Sequence, residues 1–329
     1  MPLALDDDKW IWDSWYAHDG KRWHGYFLQA DKSLGDPDLR HFNVSQGHAV
    51  SDDLINWEHK GTCLAPAEGP SFDDTATWTG SVIQGPDGLW HLFYTGGGSA
   101  EKGLYQRIGH ATSTDMHSWE RVGSGLCLDM TGPNATHYES EHAVGQWHDR
   151  AMRDPFVMKD PDGDGWLMYF TARAPGIEEA NAAGAIGFAT SPDLYEWTLQ
   201  PPVFVGDYGQ LEVPQVFRIG TKYYCLFCTS DEHWSEARKA KAGTPPVTGN
   251  HYLTADDVRG PWTVAPGFLD GDLPCYRYAA RVLETEAGWV IMGFADGGKD
   301  KFGGYVMDPV PLKVDDQGLL YIEPVDRGK

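Results

Sequence analysis

An internal repeat recurs along the chain and constrains its fold more than any other feature. Three clear copies start at Gly47, Gly109 and Gly187. In each copy the Gly is followed by His or Phe, next by Ala, next by Val or Thr, next by Ser, then by any residue and by Asp, and the copy ends at a Trp. A looser fourth copy extends from Asn250 to Trp262. Each copy is typical of a short strand, a turn built on Ser and Asp, and a Trp that opens the next strand.

Five apolar, aromatic runs accompany the repeat, and a Gly-containing turn introduces each of them. These runs are Arg22–Leu28, Leu89–Tyr94, Trp166–Thr171, Lys222–Phe227 and Trp289–Phe294. A module of roughly 60 to 75 residues with about four short strands is typical of a propeller blade. We therefore predict an all-β fold, a single five-bladed β-propeller that occupies residues 1–329 as one catalytic domain. A β-sandwich is the alternative, but its strands follow one another at shorter spacing.

Charge and hydropathy limit the partners of the chain. It has 48 acidic and 26 basic residues and a net charge of −22, which opposes the binding of nucleic acid and of anionic membranes. No apolar stretch is long enough to span a bilayer, and the acidic start does not resemble a secretion signal. We expect a cytoplasmic protein with no nucleic-acid or membrane partner, whose five cysteines are reduced; the oligomeric state stays open.

Carboxylates recur at the starts of the blades. In a propeller the innermost strand of each blade faces the central channel, so the blade starts converge on one place. The segments just ahead of the aromatic runs are Trp12–Trp15, Trp78–Ser81, Arg153–Pro155, Glu212–Pro214 and Tyr276–Ala279. Three of them carry a carboxylate at what we take as the corresponding place: Asp13, Asp154 and Glu212.

Three carboxylates around one channel repel one another, and burial adds a cost. Asp13 by itself is compatible with a turn carboxylate, and Asp154 with a structural partner of Arg153. Together, however, repulsion and burial raise the pKa of at least one group, so that an acid stands beside an ionised base or nucleophile. This is the equipment for cleaving a glycosidic bond.

Four of the blade starts also carry recognisable motifs. They are Trp12-Asp13-Ser14-Trp15, Phe72-Asp73 with Trp78-Thr79-Gly80-Ser81, Arg153-Asp154-Pro155 and Glu212-Val213-Pro214. The first resembles the nucleophile motif of glycoside hydrolase family 68, the levansucrase-like enzymes. The second and fourth resemble motifs of family 32, the invertases and fructanases, and the third is similar to a motif of both families. The resemblance implies a five-bladed propeller and a retaining mechanism on β-fructofuranosides such as sucrose or short fructans.

The resemblance also implies roles for individual residues. Asp13 would be the nucleophile that forms a covalent fructosyl intermediate, Glu212 the general acid and then base, and Asp154 the stabiliser of the oxocarbenium-like transition state. Residues expected to bind the sugar are Trp12, Trp78, Ser81, Arg153, Tyr276 and Arg277. We expect a small carbohydrate as the partner and no cofactor. Too little chain follows Tyr321 for the C-terminal β-sandwich usual in family 32, so we expect none.

Other interpretations remain open. An inverting furanosidase resembling family 43, acting on arabinose or xylose units, would use a similar propeller and carboxylates; a sugar-binding propeller without turnover would need only the tryptophans. The Asp-rich run 160–165 opens like a calcium loop, but Thr171 stands where the ligand Glu is needed, so we predict a hairpin turn and no metal site. We expect the long segment 130–149, with His137, His142 and His148, to form a rim of the active site.

Overall fold

Five antiparallel sheets, one for each predicted module, make up the computed structural model, which describes residues 3–4, 8–141, 147–271, 275–297 and 302–322. Within each sheet the strands are hydrogen-bonded in chain order, except that the last short strand of the fourth sheet, Asp270–Gly271, pairs with the third strand of that sheet. The prediction of an all-β, five-bladed propeller is confirmed. The five aromatic runs coincide with the second strands of the five sheets, whose central residues are buried.

The strands are grouped by blade. Blade I contains β1 (Lys9–His18), β2 (Trp23–Asp31), β3 (Ser45–Ser51) and β4 (Trp57–Leu64). Blade II contains β5 (Ala76–Gln84), β6 (Trp90–Gly97), β7 (Gln106–Ser113) and β8 (Glu120–Leu128). Blade III contains β9 (Met152–Lys159), β10 (Trp166–Arg173), β11 (Gly184–Ser191) and β12 (Thr198–Val205). Blade IV contains β13 (Glu212–Ile219), β14 (Lys222–Thr229), β15 (Gly249–Ala255), β16 (Thr263–Val264) and β17 (Asp270–Gly271). Blade V contains β18 (Tyr276–Thr285), β19 (Gly288–Asp296), β20 (Val310–Val314) and β21 (Leu320–Ile322).

The first strands of the blades form a closed inner ring. β1 contacts β5, β5 contacts β9, β9 contacts β13, β13 contacts β18, and β18 returns to β1. The apolar core lies between neighbouring sheets rather than at one centre, because each sheet buries its faces against the next. Near the N-terminus, Leu3 pairs with Val306, so the start of the chain is bound to blade V and helps to close the ring.

The Ser–Asp turn of the repeat is a local hydrogen-bonded unit. In blade I the Ser51 hydroxyl donates to Asp53, whose carboxylate accepts the backbone N–H groups of Ile55 and Asn56 at 2.9 and 2.7 Å. Leu54, inside this turn, has a φ of 63°. The turns of blades II and III repeat this arrangement on Ser113 with Asp115 and on Ser191 with Asp193.

Helices contribute little to the described part of the chain. Its one α-helix is Glu236–Ala242, which the Ser235 side chain caps. A short 3-10 helix, Pro37–Phe42, follows blade I's second strand and reaches the centre of the ring. No helix within the described ranges has both the length and the apolar character needed to cross a membrane.

Candidate active site

Every inner strand is interrupted by a β-bulge where it reaches the same end of the ring. The register shifts after Ile11 in β1, Trp78 in β5, Arg153 in β9, Glu212 in β13 and Tyr278 in β18. A bulge bends its strand and changes the direction of the adjacent side chains. Five bulges at one end of the channel therefore turn side chains from all five blades toward a common space.

That space is a cavity of about 470 Å³ at the centre of the propeller. Its wall contains Trp12, Asp13, Leu28, Asp38, Arg40, His41, Phe42, Trp78, Thr79, Gln106, His148, Asp149, Arg153, Asp154, Glu212, Val213, Tyr278, Phe294 and Asp296. All three predicted carboxylates are in this wall, although up to 199 positions separate them in the sequence. The structure thus brings together the side chains that the sequence nominated.

Asp13 lies within the bulge of β1. Its carboxylate accepts a hydrogen bond from the Thr79 hydroxyl of blade II. Burial, followed by the negative charges of Asp154 and Glu212, raises the pKa of Asp13 to about 7, whereas the Thr79 hydrogen bond and the charge of Arg281 lower that pKa. A nucleophile must be ionised. Thr79 and Arg281, which lower the pKa of Asp13, therefore support the role expected of it.

Asp154 is the most deeply held of the three carboxylates. Its Oδ2 accepts the Thr171 hydroxyl at 2.9 Å and the backbone N–H of Val213, in the next blade, at 3.0 Å. Its own N–H donates to the Thr95 hydroxyl, in the preceding blade, at 2.8 Å. Burial raises the pKa of Asp154 and the nearby charge of Arg153 opposes that rise. A carboxylate held on both sides in this way is fixed in position before any ligand arrives.

Glu212 begins β13 and is bonded by side chains of two other blades. Arg153 Nη2 donates to its Oε1 at 3.0 Å, and the Tyr278 hydroxyl donates to its Oε2 at 2.8 Å. Arg153 also donates to Gln106 Oε1 at 3.2 Å and to Gln210 Oε1 at 2.8 Å. The sequence left open that Asp154 is a structural partner of Arg153. The shorter contact of Arg153 is the one to Glu212, whereas its Nε lies 3.6 Å from Asp154 Oδ2.

One detail of the predicted equivalence is wrong. Asp154 and Val213 occupy the same place in their bulges, with φ of 58° and 52°, and each is followed by Pro. Glu212 therefore stands one residue earlier, at the place of Arg153 rather than of Asp154. Two consecutive residues of a bulged strand both reach the cavity, because the extra residue breaks the usual alternation of faces.

The predicted sugar-binding residues divide into two groups. Trp12, Trp78 and Arg153 line the cavity. Ser81 does not, because it is buried between blades II and III, where its hydroxyl accepts the N–H of Val157 at 3.1 Å.

Tyr276 and Arg277 are buried away from the cavity wall. The Arg277 guanidinium lies 3.6 Å from Asp270 and donates to the carbonyl of Asp308 at 3.3 Å. Blade V instead contributes Tyr278, the residue at the bulge. The equivalence is visible in the backbone of the structure: Tyr278 immediately precedes Ala279, whose φ of 47° matches those of the bulge residues in blades III and IV.

The 3-10 helix Pro37–Phe42 was not anticipated as part of the site. Four of its residues line the cavity: Asp38, Arg40, His41 and Phe42. The His41 carbonyl accepts the indole N–H of Trp78 at 2.7 Å, and the Arg40 guanidinium lies 4.1 Å from the ring centroid of Phe302. The length of the connection from β2 to β3 was the available signal, because long connections in a compact domain are commonly functional.

The rim and metal predictions can be compared with the described residues. His148 and Asp149, at the end of segment 130–149, line the cavity, whereas His142 lies outside the described residues.

The Asp-rich run 160–165 forms a turn closed by the hydrogen bond from Asp160 N to Gly165 O, and Asp160 and Asp162 pair with Arg259 at 2.5 and 3.3 Å. In the described ranges no three His, Cys, Asp or Glu side chains are grouped so as to hold a metal.

Comparisons with known proteins agree with this architecture. Sucrose-6-phosphate hydrolase of Escherichia coli is 28% identical over 189 residues, which are 55% of this chain and 34% of that protein. Extracellular sucrase of Zymomonas mobilis is 25% identical, over 96% of this chain and 82% of that protein. An inulosucrase from Halalkalicoccus jeotgali, solved with kestose, has the same fold, with a TM-score of 0.75 at 20% identity over 98% of this chain and 90% of that one.

A family model decides the assignment. The model of the glycosyl hydrolases family 32 N-terminal domain matches residues 16–256, a span that includes Asp154 and Glu212 and begins just after Asp13. This span is well over half of the chain. With the propeller and the carboxylates in its central cavity, the match shows that the chain belongs to glycosyl hydrolase family 32.

Proposed function

We propose that this protein is a retaining glycoside hydrolase or transglycosidase that cleaves β-fructofuranosidic bonds in sucrose or short fructans. The observation that carries the proposal is the convergence of Asp13, Asp154 and Glu212 on one cavity, each from a different blade. The family relatives support it, because they include proteins named sucrose-6-phosphate hydrolase and extracellular sucrase.

The contacts indicate a separate role for each of the three carboxylates. Asp13 attacks the anomeric carbon and forms a covalent fructosyl–enzyme intermediate. Glu212, more exposed than Asp154 and in contact with a tyrosine hydroxyl, protonates the leaving oxygen and then activates water or an acceptor sugar. Asp154, fixed from both sides, stabilises the positive charge that develops on the ring.

The walls of the cavity suit a small, uncharged carbohydrate. Trp12 and Trp78 offer apolar faces, and six carboxylate side chains line the space against two arginines. One of these, Arg153, is already bonded to Glu212. A phosphorylated sugar would meet net repulsion, so we propose unphosphorylated substrates.

A product-resolved assay tests the proposal. Purified protein is incubated with sucrose, sucrose 6-phosphate, inulin and levan, and NMR follows the anomeric configuration of the first fructose released. We expect fructose or transfer products from sucrose or a fructan, with retained configuration, and a higher kcat/KM for sucrose than for its phosphate. Asp13→Asn is the matched inactive control, because it keeps the shape of the side chain and removes the nucleophile.

Three outcomes would overturn the proposal. Inversion at the anomeric carbon would exclude the nucleophile role of Asp13 and favour a direct displacement by water. Release of arabinose from aryl furanosides, or binding of sugars without turnover by wild-type protein, would point to the furanosidase or to the sugar-binding propeller.

A further inference from the structure

A buried arginine lies beneath the candidate active site and has no role in the family resemblance. Arg281 follows the bulge of β18 and is 2% exposed. Its Nη1 donates to the carbonyls of Pro214 at 2.8 Å and Val213 at 3.4 Å, and its Nη2 donates to the carbonyl of Gly80 at 3.3 Å. One guanidinium therefore joins the inner strands of blades II, IV and V.

The charge of Arg281 has no adjacent counter-ion. Among the residues that the structure describes, no carboxylate forms an ion pair with it, and its Nε has no hydrogen-bond partner. Arg153, in the cavity wall, is by contrast in contact with Asp149, Asp154 and Glu212. A buried, unpaired cation is costly, so its presence calls for a compensating use.

The carbonyls that Arg281 binds belong to the two bulges that hold the carboxylates. Gly80 directly follows Thr79, whose hydroxyl bonds Asp13. Val213 donates its N–H to Asp154. Removing the guanidinium would therefore release both supports at once. A side chain at position 80 could not take over the support that the guanidinium gives, because a Cβ at Gly80 would lie 2.1 Å from the Phe93 carbonyl oxygen.

We propose that Arg281 is a positioning residue for catalysis: its guanidinium clamps two bulges beneath the carboxylates and places a buried positive charge under the site. This inference rests on the proposed function. It is independent of the Arg-Asp-Pro motif, since Arg281 comes from another blade. The electrostatic direction agrees with the geometry, because Asp154 and Asp13 are the main charges that oppose the fall in the Arg281 pKa, which burial lowers to about 10.

Several groups act on Asp13, so the effect of Arg281 must be separated from theirs. The neighbours whose charge is coupled to that of Asp13 are Asp154 on β9, Glu212 on β13, Arg281 on β18, Arg40 in the 3-10 helix and Cys228 on β14. The other titratable groups in the cavity wall are Asp38, His41, His148, Asp149, Arg153, Tyr278 and Asp296. Tyr16, on β1 itself, is coupled to Arg281. Only substitutions at Arg281 test its contribution with all of these retained.

The test is the pH profile of kcat/KM in two variants. Arg281→Met removes both the charge and the donors, and we expect the acidic limb to move to higher pH by about one unit, because an opposite charge near a carboxylate lowers its pKa. Arg281→Lys keeps the charge but cannot reach three carbonyls, and we expect the limb to stay in place while kcat falls about tenfold.

Arg238→Met is the matched control. Arg238 is buried, has no ion pair among the described residues, and donates to a backbone carbonyl, that of Ala265 at 3.4 Å, away from the cavity. We expect its loss to lower the melting temperature without moving the pH profile. A folded Arg281→Met protein with an unmoved acidic limb would overturn the proposal. If that variant does not fold, Arg281→Lys decides, and a moved limb or an unchanged kcat would overturn it.

A measurement without substrate separates this inference from the proposed function. In protein labelled with ¹³C-aspartate, the signal that Asp13→Asn removes identifies the Asp13 carboxyl, and its titration can be followed directly. We expect its midpoint to rise in Arg281→Met and not in Arg238→Met. Wild-type protein inactive on all fructosides would refute the proposed function and leave this titration to decide on Arg281.

Discussion

Blade III contains two aspartates, one in a turn and one in a β-bulge, whose pKa values are shifted in opposite directions. Asp193 lies in the exposed turn after β11, where the N–H groups of Tyr195 and Glu196, both at 2.9 Å, lower its pKa. Asp154 lies in the bulge of β9, where burial raises its pKa. The first carboxylate stabilises the fold in its ionised form, whereas ionising the second costs folding energy.

The difference also concerns sequence distance. The partners of Asp193 are two and three residues away, and Asp53 and Asp115 make the same contacts in other blades. Asp154 is bonded by Thr171 and Val213, which are 17 and 59 residues away. The turn can therefore form within one blade, whereas the bulge is complete only when neighbouring blades have docked. The turn is thus stabilised by contacts within one blade, whereas the geometry of the candidate site depends on closure of the ring of blades.

The largest effect that would sharpen this contrast comes from Asp154→Asn. We expect kcat/KM to fall on the order of 10³-fold, because charge stabilisation at a preorganised site is lost. The free energy of unfolding should not fall by more than about 1 kcal/mol, since repulsion from Asp13 and Glu212 is relieved as the attraction to Arg153 is lost. Kinetics on the active fructoside and urea denaturation measure the two quantities. A large loss of stability with little loss of activity would reverse the assignment.

This contrast explains what the sequence alone could predict. The repeat and the aromatic runs revealed five blades, because their signals are local and recur. The comparison of the five blade starts also led to Asp13, Asp154 and Glu212. It failed at Tyr276 and Arg277, since a bulge adds a residue and shifts which side chains face the channel.

Other parts of the site had no repeated signal. Arg40 and His41 enter the cavity from the connection between β2 and β3, which lies outside the repeated motif. Arg281 resembles any strand residue until the ring closes and places three carbonyls around it. Contacts between distant blades depend on register and docking, which a single sequence does not encode in any short pattern.

Tyr278→Phe should produce the next largest effect. It removes the hydroxyl that donates to Glu212 at 2.8 Å, and a hydrogen bond to a charged group contributes about 1.5–3 kcal/mol. We expect kcat to fall by about 10- to 100-fold on sucrose. The loss should be smaller on an activated aryl fructoside, whose leaving group needs less protonation. Equal losses on both substrates would argue against a role for Tyr278 in acid catalysis.

A histidine pair in blade II provides a third comparison, with blade III. His110 Nε2 lies 2.9 Å from His91 Nδ1, and Phe188 occupies the repeat position of His110 in blade III. Burial, followed by the neighbouring charge of His91, lowers the pKa of His110 to about 3. The unfolded chain therefore binds a proton below about pH 6.5 that the folded chain does not bind, and stability falls as the pH decreases toward 3.

His110→Phe should remove this part of the acid sensitivity. The wild-type protein should lose about 2 kcal/mol more unfolding free energy than the variant between pH 7 and pH 5, at a slope of up to about 1.4 kcal/mol per pH unit. Urea denaturation at both pH values measures the difference within each protein. Exposed His137→Gln serves as the control. Parallel pH curves for wild type and His110→Phe would show that His110 does not contribute.

Asp193→Ala should have the smallest effect and completes the contrast with Asp154. The turn loses two backbone hydrogen bonds, and by analogy with the loss of a capping side chain we expect the free energy of unfolding to fall by about 1 kcal/mol. The kcat/KM should stay within about twofold of wild type, because the turn lies outside the cavity wall. The loss should diminish as the pH falls below the unfolded pKa of about 3.9, since a depressed pKa contributes stability that is lost as the carboxylate is protonated. Loss of activity at neutral pH would mean that the turn and the site are coupled through the blade, and would contradict their separation.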